Sequence, residues 1–195
     1  MPRLVLASTS PRRSRLLEEA GYDFTVRSPS SEEILSGDPY TIAIDNARSK
    51  ARSIDRSDDE IVIGADTIVL CDGKILGKPV DREEAKGMLL LQMDRPQEVI
   101  TGVCLIESGS GKEVYGYEAS GLAMRGDRLS LERYLDSGQW RGKAGAYGIQ
   151  DEGGIEIDLL WGSFDNVVGL PMTLVRRLLS LVRYEYPDKT PSEGV

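Results

Sequence analysis

Histidine is absent from the 195-residue chain. That absence excludes Ser-His-Asp and Cys-His nucleophilic systems, zinc sites with imidazole ligands and imidazole general bases. Catalysis here must run on carboxylates, lysine, arginine, hydroxyls or a hard metal ion. Cysteine is almost as scarce: Cys71 and Cys104 are far apart, have no metal-ligand spacing and read as cytosolic thiols. No apolar window reaches the roughly 18 residues that a membrane span needs, and Met1 runs straight into a strand-like segment without the apolar core of a signal peptide. A cytoplasmic protein is expected, with no membrane partner. Basic residues are in deficit, 24 Lys and Arg against 32 Asp and Glu, a formal charge of −8. That balance argues against a nucleic-acid binder. The cations that do cluster, at 12–15, at 48–52 and singly at Lys78 and Lys143 in glycine-rich settings, therefore ask for a local reason.

The length admits a substantial core in one domain or two tightly coupled lobes. "RLVLA" at 3–7 reads as a first strand, followed by a helix with Ser10 as N-cap, Pro11 at its first position and Gly21 as its stop. A second strand is expected over 23–28, a polar loop around Glu32 and Glu33, a helix over 39–55 and a buried strand over 60–66. Residues 67–79 read as two short strands around Asp72-Gly73. A helix over 81–93, a β-ribbon turning at "GSGK", a helix near 130–138 and a glycine-rich stretch over 142–154 follow. The strand "IEIDLLW", the loop "GSFDNVVGLP" and a helix from Pro171 complete the pattern, and residues 184–195 read as a frayed tail. Strands and helices alternate at both ends around a run of strands, which makes an α/β fold with a mixed sheet flanked by helices.

Four features carry chemistry. The first helix begins with Arg12, Arg13 and Arg15 at its positive end, where acidic residues are the norm. With hydroxyls at Ser8, Thr9 and Ser10, the strand–loop–helix junction forms an oxyanion site if the arginines converge, and a solvated basic face if they do not. Asp66 falls at the end of an apolar strand, where a buried carboxylate needs a cation, a metal or donors, unless it serves as a local cap. Lys78, between Gly77 and Pro79, has a constrained path but could equally face solvent. Glu32 and Glu33 are either plain surface or, near a polyphosphate, a hold for Mg²⁺. "GKAGAYGIQDEGG" places five glycines in thirteen residues, so it can approach a ligand closely or simply connect two elements, and Gln150 carries a donor and an acceptor suited to a base edge.

Taken together, "LASTSPRR", "GADTIVLCDGKILGKP", "TGV", "GKAGAYGIQ" and "NVVGLP" resemble the Maf family of nucleotide pyrophosphatases in order and spacing, over roughly residues 3–182. The resemblance implies two lobes around a nucleotide cleft, a fold related to inosine-triphosphate pyrophosphatases, and one domain over 1–183. It implies hydrolysis of nucleoside triphosphates to monophosphate and pyrophosphate, with Mg²⁺, Mn²⁺ or Co²⁺, and a homodimer. Carried onto this chain, Ser8, Arg12, Arg13, Lys50 and Lys78 form the phosphate-binding set. Glu33 and Asp66 hold metal and activate water at the α-phosphate, with Asp66 as proton acceptor and Lys78 grouped with the catalytic residues. Arg13, Thr67 and Gln150 match members acting on dTTP and UTP, whereas the sister group acting on 7-methyl-GTP differs at these points. A non-enzymatic role in cell division is the competing implication. Two departures stand out: Gln97 replaces a histidine common in the family, implying a local structural change, and the acidic loop reads "SSEE".

Overall fold

The computed structural model describes residues 2–182 and Tyr184; the tail expected over 184–195 otherwise lies outside the described residues. The chain runs β1 (Arg3–Ala7), α1 (Pro11–Glu19), β2 (Phe24–Arg27), α2 (Pro39–Arg52), β3 (Glu60–Cys71), β4 (Lys74–Leu76), α3 (Arg82–Gln92), β5 (Pro96–Glu107), β6 (Lys112–Arg125), α4 (Arg128–Ser137), β7 (Glu156–Trp161), α5 (Phe164–Val168) and α6 (Met172–Leu181). Among the described residues these strands form one seven-stranded mixed sheet in the order β2-β1-β3-β5-β6-β7, with β4 paired to β3. The pairs β1–β2 and β1–β3 are parallel and the others antiparallel. This is the mixed α/β architecture expected from the alternation of elements.

The long strand β3 decides where a site can lie. One edge pairs with β5 from Ile61↔Glu107 to Cys71↔Gln97. The opposite edge is shared: β1 pairs with Glu60 to Gly64 and β4 with Val69 to Cys71. Residues 65–68 have no strand partner on that side among the described residues. The expectation that Asp66 ends a strand is therefore corrected. Residues 60–71 form one strand, because β5 supports it throughout, and Asp66 lies mid-strand where the other edge splits. The turn at Asp72-Gly73 is as expected, both residues adopting positive φ (51° and 71°).

Side chains alternate across β3, and both faces are covered. Ile61, Ile63 and Ala65 pack with Leu4, Leu17, Val103 and Leu178 on the face carrying α1 and α6. Val62 packs with Val5, Ala47, Ala51 and Cys104 on the α2 face. A separate cluster, from Val69 and Cys71 to Leu89, Leu131 and Trp140, joins the far ends of the long strands to α3 and α4. Two apolar centres thus share β3, β5 and β6, and the split edge lies between them. Both cysteines are buried, and burial pushes the Cys104 thiol up to about 12, so it is inert at neutral pH.

Helix α2 lies unusually close to the sheet. A Cβ on Gly64 would come within 2.2 Å of the Ala47 carbonyl oxygen, and one on Gly102 within 2.1 Å of that of Ala43. Only glycine permits this contact, which brings the polar residues of α2 down onto Asp66.

Further corrections are local. The loop expected over 162–171 contains α5, capped by Ser163, whose side chain accepts from the Asn166 N–H. Helix α2 stops at Arg52 rather than 55, and α4 starts at Arg128, behind the cap Asp127. Ser10 occupies the N-cap of α1, but its side chain makes no capping bond; its N–H donates instead to Ser8 Oγ at 3.1 Å. β5 is unbroken at Gln97, which is buried and donates to the Gln92 carbonyl at 2.9 Å, tying the strand to the end of α3.

Candidate active site

A cleft of about 530 Å³ opens at the split edge of β3. It is lined from the β1–α1 junction (Ser8 to Arg13), the acidic loop (Glu33), α2 (Lys50), β3 (Asp66, Thr67), Lys78, the glycine-rich stretch (Arg141 to Asp151) and α5. Every residue that the family resemblance assigns to the site lines it: Ser8, Arg12, Arg13, Glu33, Lys50, Asp66, Thr67, Lys78 and Gln150. Glu32 does not, which separates the two glutamates. Arg15 is also left out, pairing with Glu19 one turn along the exposed face of α1. Consecutive residues of a strand point to opposite faces, yet both Asp66 and Thr67 reach the cleft because the sheet edge is open there.

The floor is a web of charge. Lys50, 7% exposed, donates to Asp66 Oδ1 at 2.5 Å and to Glu33 Oε1 at 2.8 Å. Lys78 approaches the same Glu33 oxygen from the outer side at 2.6 Å. Burial pushes the Glu33 carboxyl up, but the hydrogen bonds from Lys50 and Lys78 outweigh it and hold the pKa at about 2. Asp66 Oδ2 accepts from Asn46 Nδ2 at 2.9 Å. The two carboxylates therefore converge on one ammonium, that of Lys50.

Arg13 braces the opposite wall. Its guanidinium donates to the Gly169 carbonyl (2.7 Å), Thr67 Oγ1 (3.0 Å) and Ser8 Oγ (3.3 Å). Burial lowers its pKa, while Asp66 opposes that shift; the guanidinium stays charged. Thr67 in turn meets Thr101 Oγ1 at 3.0 Å, and Thr101 donates to the Asn166 carbonyl. Asn166 donates to the Val99 carbonyl and to Ser120, locking α5 onto β5 and β6. The "NVVGLP" segment thereby delivers Val167, Val168 and the Gly169 carbonyl to the cleft.

The rim is built differently. Gly138 closes α4 in the left-handed region, and Gly142, Gly145 and Ala146 also take positive φ. Asp151 accepts from Lys143 with both carboxylate oxygens and from the Tyr134 hydroxyl at 2.5 Å, closing residues 143–151 into a loop held against α4. Gln150 and Arg141 are exposed on this loop. The Arg141 guanidinium lies 4.7 Å from the centroid of the Trp140 ring.

Arg12, Arg13 and Arg141 have no carboxylate partner among the described residues. The cleft lining holds five cations (Arg12, Arg13, Lys50, Lys78, Arg141) against three carboxylates (Glu33, Asp66, Asp151), in a chain of net charge −8. A surplus of positive charge confined to one concavity fits a polyanion. Val69, Val99, Val167, Val168, Tyr147 and Ile149 provide an apolar side suited to a ring. Among the described residues no three or more His, Cys, Asp or Glu side chains cluster as a metal site.

Asn46, Arg141 and the Asp151 clamp were not singled out from sequence. For Asn46 a signal existed: Ile42, Ala43, Ala47 and Ala51 mark the buried stripe of α2, and Asn46 and Lys50 interrupt it at buried positions. A polar side chain on such a stripe needs a buried partner. For Arg141 nothing local distinguished it from a surface arginine.

Comparison with known proteins is consistent with this geometry. The Maf-like protein family model matches residues 3–182. A dTTP/UTP pyrophosphatase of Bdellovibrio bacteriovorus is 44% identical over 190 residues, spanning 92% of this chain and 98% of that protein. One of Thermococcus gammatolerans is 42% identical, spanning 91% and 96%, and one of Symbiobacterium thermophilum 38% identical over both whole chains. Among solved structures, a HAM1 protein from Coxiella burnetii aligns over 94% of this chain and 99% of its own, with TM-score 0.46 and 15% identity, a likeness too loose to argue from. With the family model spanning nearly the whole chain and full-length relatives above 40% identity, the chain belongs to the Maf family.

Proposed function

We propose that this protein hydrolyses dTTP and UTP to the monophosphate and pyrophosphate, by attack of water at the α-phosphate. The observation that carries the proposal is the pairing, inside one cleft, of two carboxylates on a shared ammonium with three guanidiniums that have no carboxylate of their own. Free guanidiniums suit the triphosphate and the departing pyrophosphate, whose charge grows as the bond breaks. Arg12 and Arg141 are the accessible donors; Arg13, fixed by three bonds, presents a preset one. Lys78, half-exposed, can turn from Glu33 to a phosphate oxygen.

Asp66 takes the proton of the attacking water. Lys50 fixes one of its oxygens and Asn46 the other, so the carboxylate is oriented before substrate arrives. The donor set also fits a divalent cation: Glu33 and Asp66 already converge on one positive centre, and Mg²⁺ takes one or two protein carboxylates and shares phosphate oxygens. When bound, Mg²⁺, Mn²⁺ or Co²⁺ polarises the phosphoryl group and neutralises its charge. On the apolar side Gln150 meets the pyrimidine edge with one donor and one acceptor.

Full-length relatives carrying the dTTP/UTP pyrophosphatase name support this substrate class. From the family resemblance we carry forward a single domain over 1–183 and a homodimer, which light scattering checks. Pyrophosphate release from purified protein across dTTP, UTP, CTP, GTP and 7-methyl-GTP, with each of the three metals, tests the activity. Turnover led by dTTP and UTP is expected. Turnover led by 7-methyl-GTP overturns the specificity, and a flat response to every nucleotide overturns the enzyme.

A further inference from the structure

We infer that Asn46 is a positioning residue for this hydrolysis, setting the placement of both carboxylates without touching substrate. The inference rests on the roles assigned above to Asp66 and Glu33. Asn46 is 1% exposed and contributes nothing to the lining of the cleft. A buried amide is costly unless each polar atom is met. Here Oδ1 accepts from the Ile34 N–H at 2.8 Å, and Nδ2 donates to the Ile34 carbonyl and to Asp66 Oδ2, each at 2.9 Å. The amide cannot be turned over, because the Ile34 N–H can only donate and its carbonyl can only accept.

These contacts close a ring. Asn46 holds Ile34, Ile34 is bonded in the chain to Glu33, Glu33 accepts from Lys50, Lys50 donates to Asp66, and Asp66 accepts from Asn46. Both donors stand one turn apart on α2, so one rigid helix sets the distance between the carboxylates. Glu33 needs such a tether. Its loop between β2 and α2 has no helix or strand, and the Ile34 side chain is 52% exposed, so packing does not anchor it. The loop is otherwise fixed at its start, where Ser30 bonds Ser53. Two-point backbone pairing to Asn46 is what places Glu33 opposite Lys50.

Three measurements test this. With dTTP, Asn46→Ala should lower kcat by about 10- to 100-fold, the usual range for a residue supporting first-contact ligands, with KM nearly unchanged. In an Asp66→Glu background, whose longer carboxylate no longer meets the amide in the same place, the same substitution should cost at least about threefold less than in the wild type, because only the tether to Glu33 is then lost. A merely structural role would lower kcat equally in both backgrounds, and that result overturns the inference. Independently of activity, amide exchange of the Ile34 N–H should be at least about tenfold faster in Asn46→Ala, with α2 and β3 amides unchanged. Asn46→Asp, which keeps an acceptor for Ile34 but sets a carboxylate against Asp66, should lose kcat while retaining Ile34 protection; it also decides the matter if the alanine variant does not fold. Should the wild type hydrolyse no nucleotide, the function fails on its own, and the exchange experiment still decides the tether: equal Ile34 exchange in wild type and Asn46→Ala overturns it.

Discussion

The floor and the rim of the cleft are made by opposite means. On the floor, Asp66, Asn46 and Lys50 are nearly sealed from solvent, carried on β3 and α2, and each side-chain polar atom of Asp66 and Asn46 has a partner. The rim, from Gly138 to Asp151, relies on positive φ at Gly138, Gly142, Gly145 and Ala146, and on one ion pair reinforced by Tyr134. A floor of this kind resists movement, because shifting any member strands a buried charge. The rim keeps Gln150 and Arg141 exposed and able to settle on a guest. Fixed geometry is where proton transfer needs it, and adaptability is where a base and a flexible triphosphate must be received.

The sharpest way to break this contrast is at Asp66. Asp66→Asn should lower kcat on dTTP by about 10³-fold or more while the circular dichroism spectrum is unchanged. Turnover close to wild type would remove Asp66 from the chemistry. Next in size, Gly102→Ala should cost roughly 3 kcal/mol or more in urea unfolding, above ordinary overpacking because the new methyl meets a helix carbonyl and not a movable side chain. Since α2 would be lifted from β3, kcat should fall with it. A stable, active Gly102→Ala protein would show that the close approach of α2 does not set the floor.

On the rim and mouth the effects should shift from kcat to KM. Arg12→Ala should raise KM for dTTP by about 10- to 100-fold, as expected for loss of a charge-assisted bond, and Arg141→Ala by less because its guanidinium is exposed. A fall in kcat without a change in KM for either would move that arginine from binding to the reacting centre. The smallest effect sharpens the electrostatics. Glu33 is held at about 2, below its ordinary value of 4.5, so its ionised pairing stabilises the fold above pH 4.5 and is lost as the pH falls from there through about 2. Lys78→Met removes one of its two ammonium donors, and a carboxyl ¹³C titration should show the Glu33 midpoint rising. An unmoved midpoint would assign the depression to Lys50 alone.

Much of this was legible in the residues. Arg12 and Arg13 at the positive end of a proline-started helix raised the anion site, and the lack of histidine turned attention to Asp66 and Glu33. The Asp72-Gly73 turn gave the hairpin. Other features were not legible. Asp66 reads as a strand end when only local apolarity is counted, since the pairing of β5 along all of β3 joins residues far apart in the chain. Helix α5 is too short for its periodicity to show, and its place depends on Asn166 reaching Val99 and Ser120. Ser10 resembles a capping residue, but Ser8 takes its N–H and leaves the side chain uncommitted to the helix.

By itself the sequence determined the types of the longer elements, the buried stripe of α2, the reliance on carboxylates and cations, and the family, because these follow from local periodicity and from motifs of contiguous residues. Only the tertiary structure decided that β3 keeps one edge open at 65–68, that Gly64 and Gly102 let α2 descend onto it, and that Asn46 and Lys50 then bind one loop glutamate to one strand aspartate. Those outcomes depend on contacts between segments separated by many residues, where sub-ångström clearances decide which side chains meet, and no local pattern encodes them.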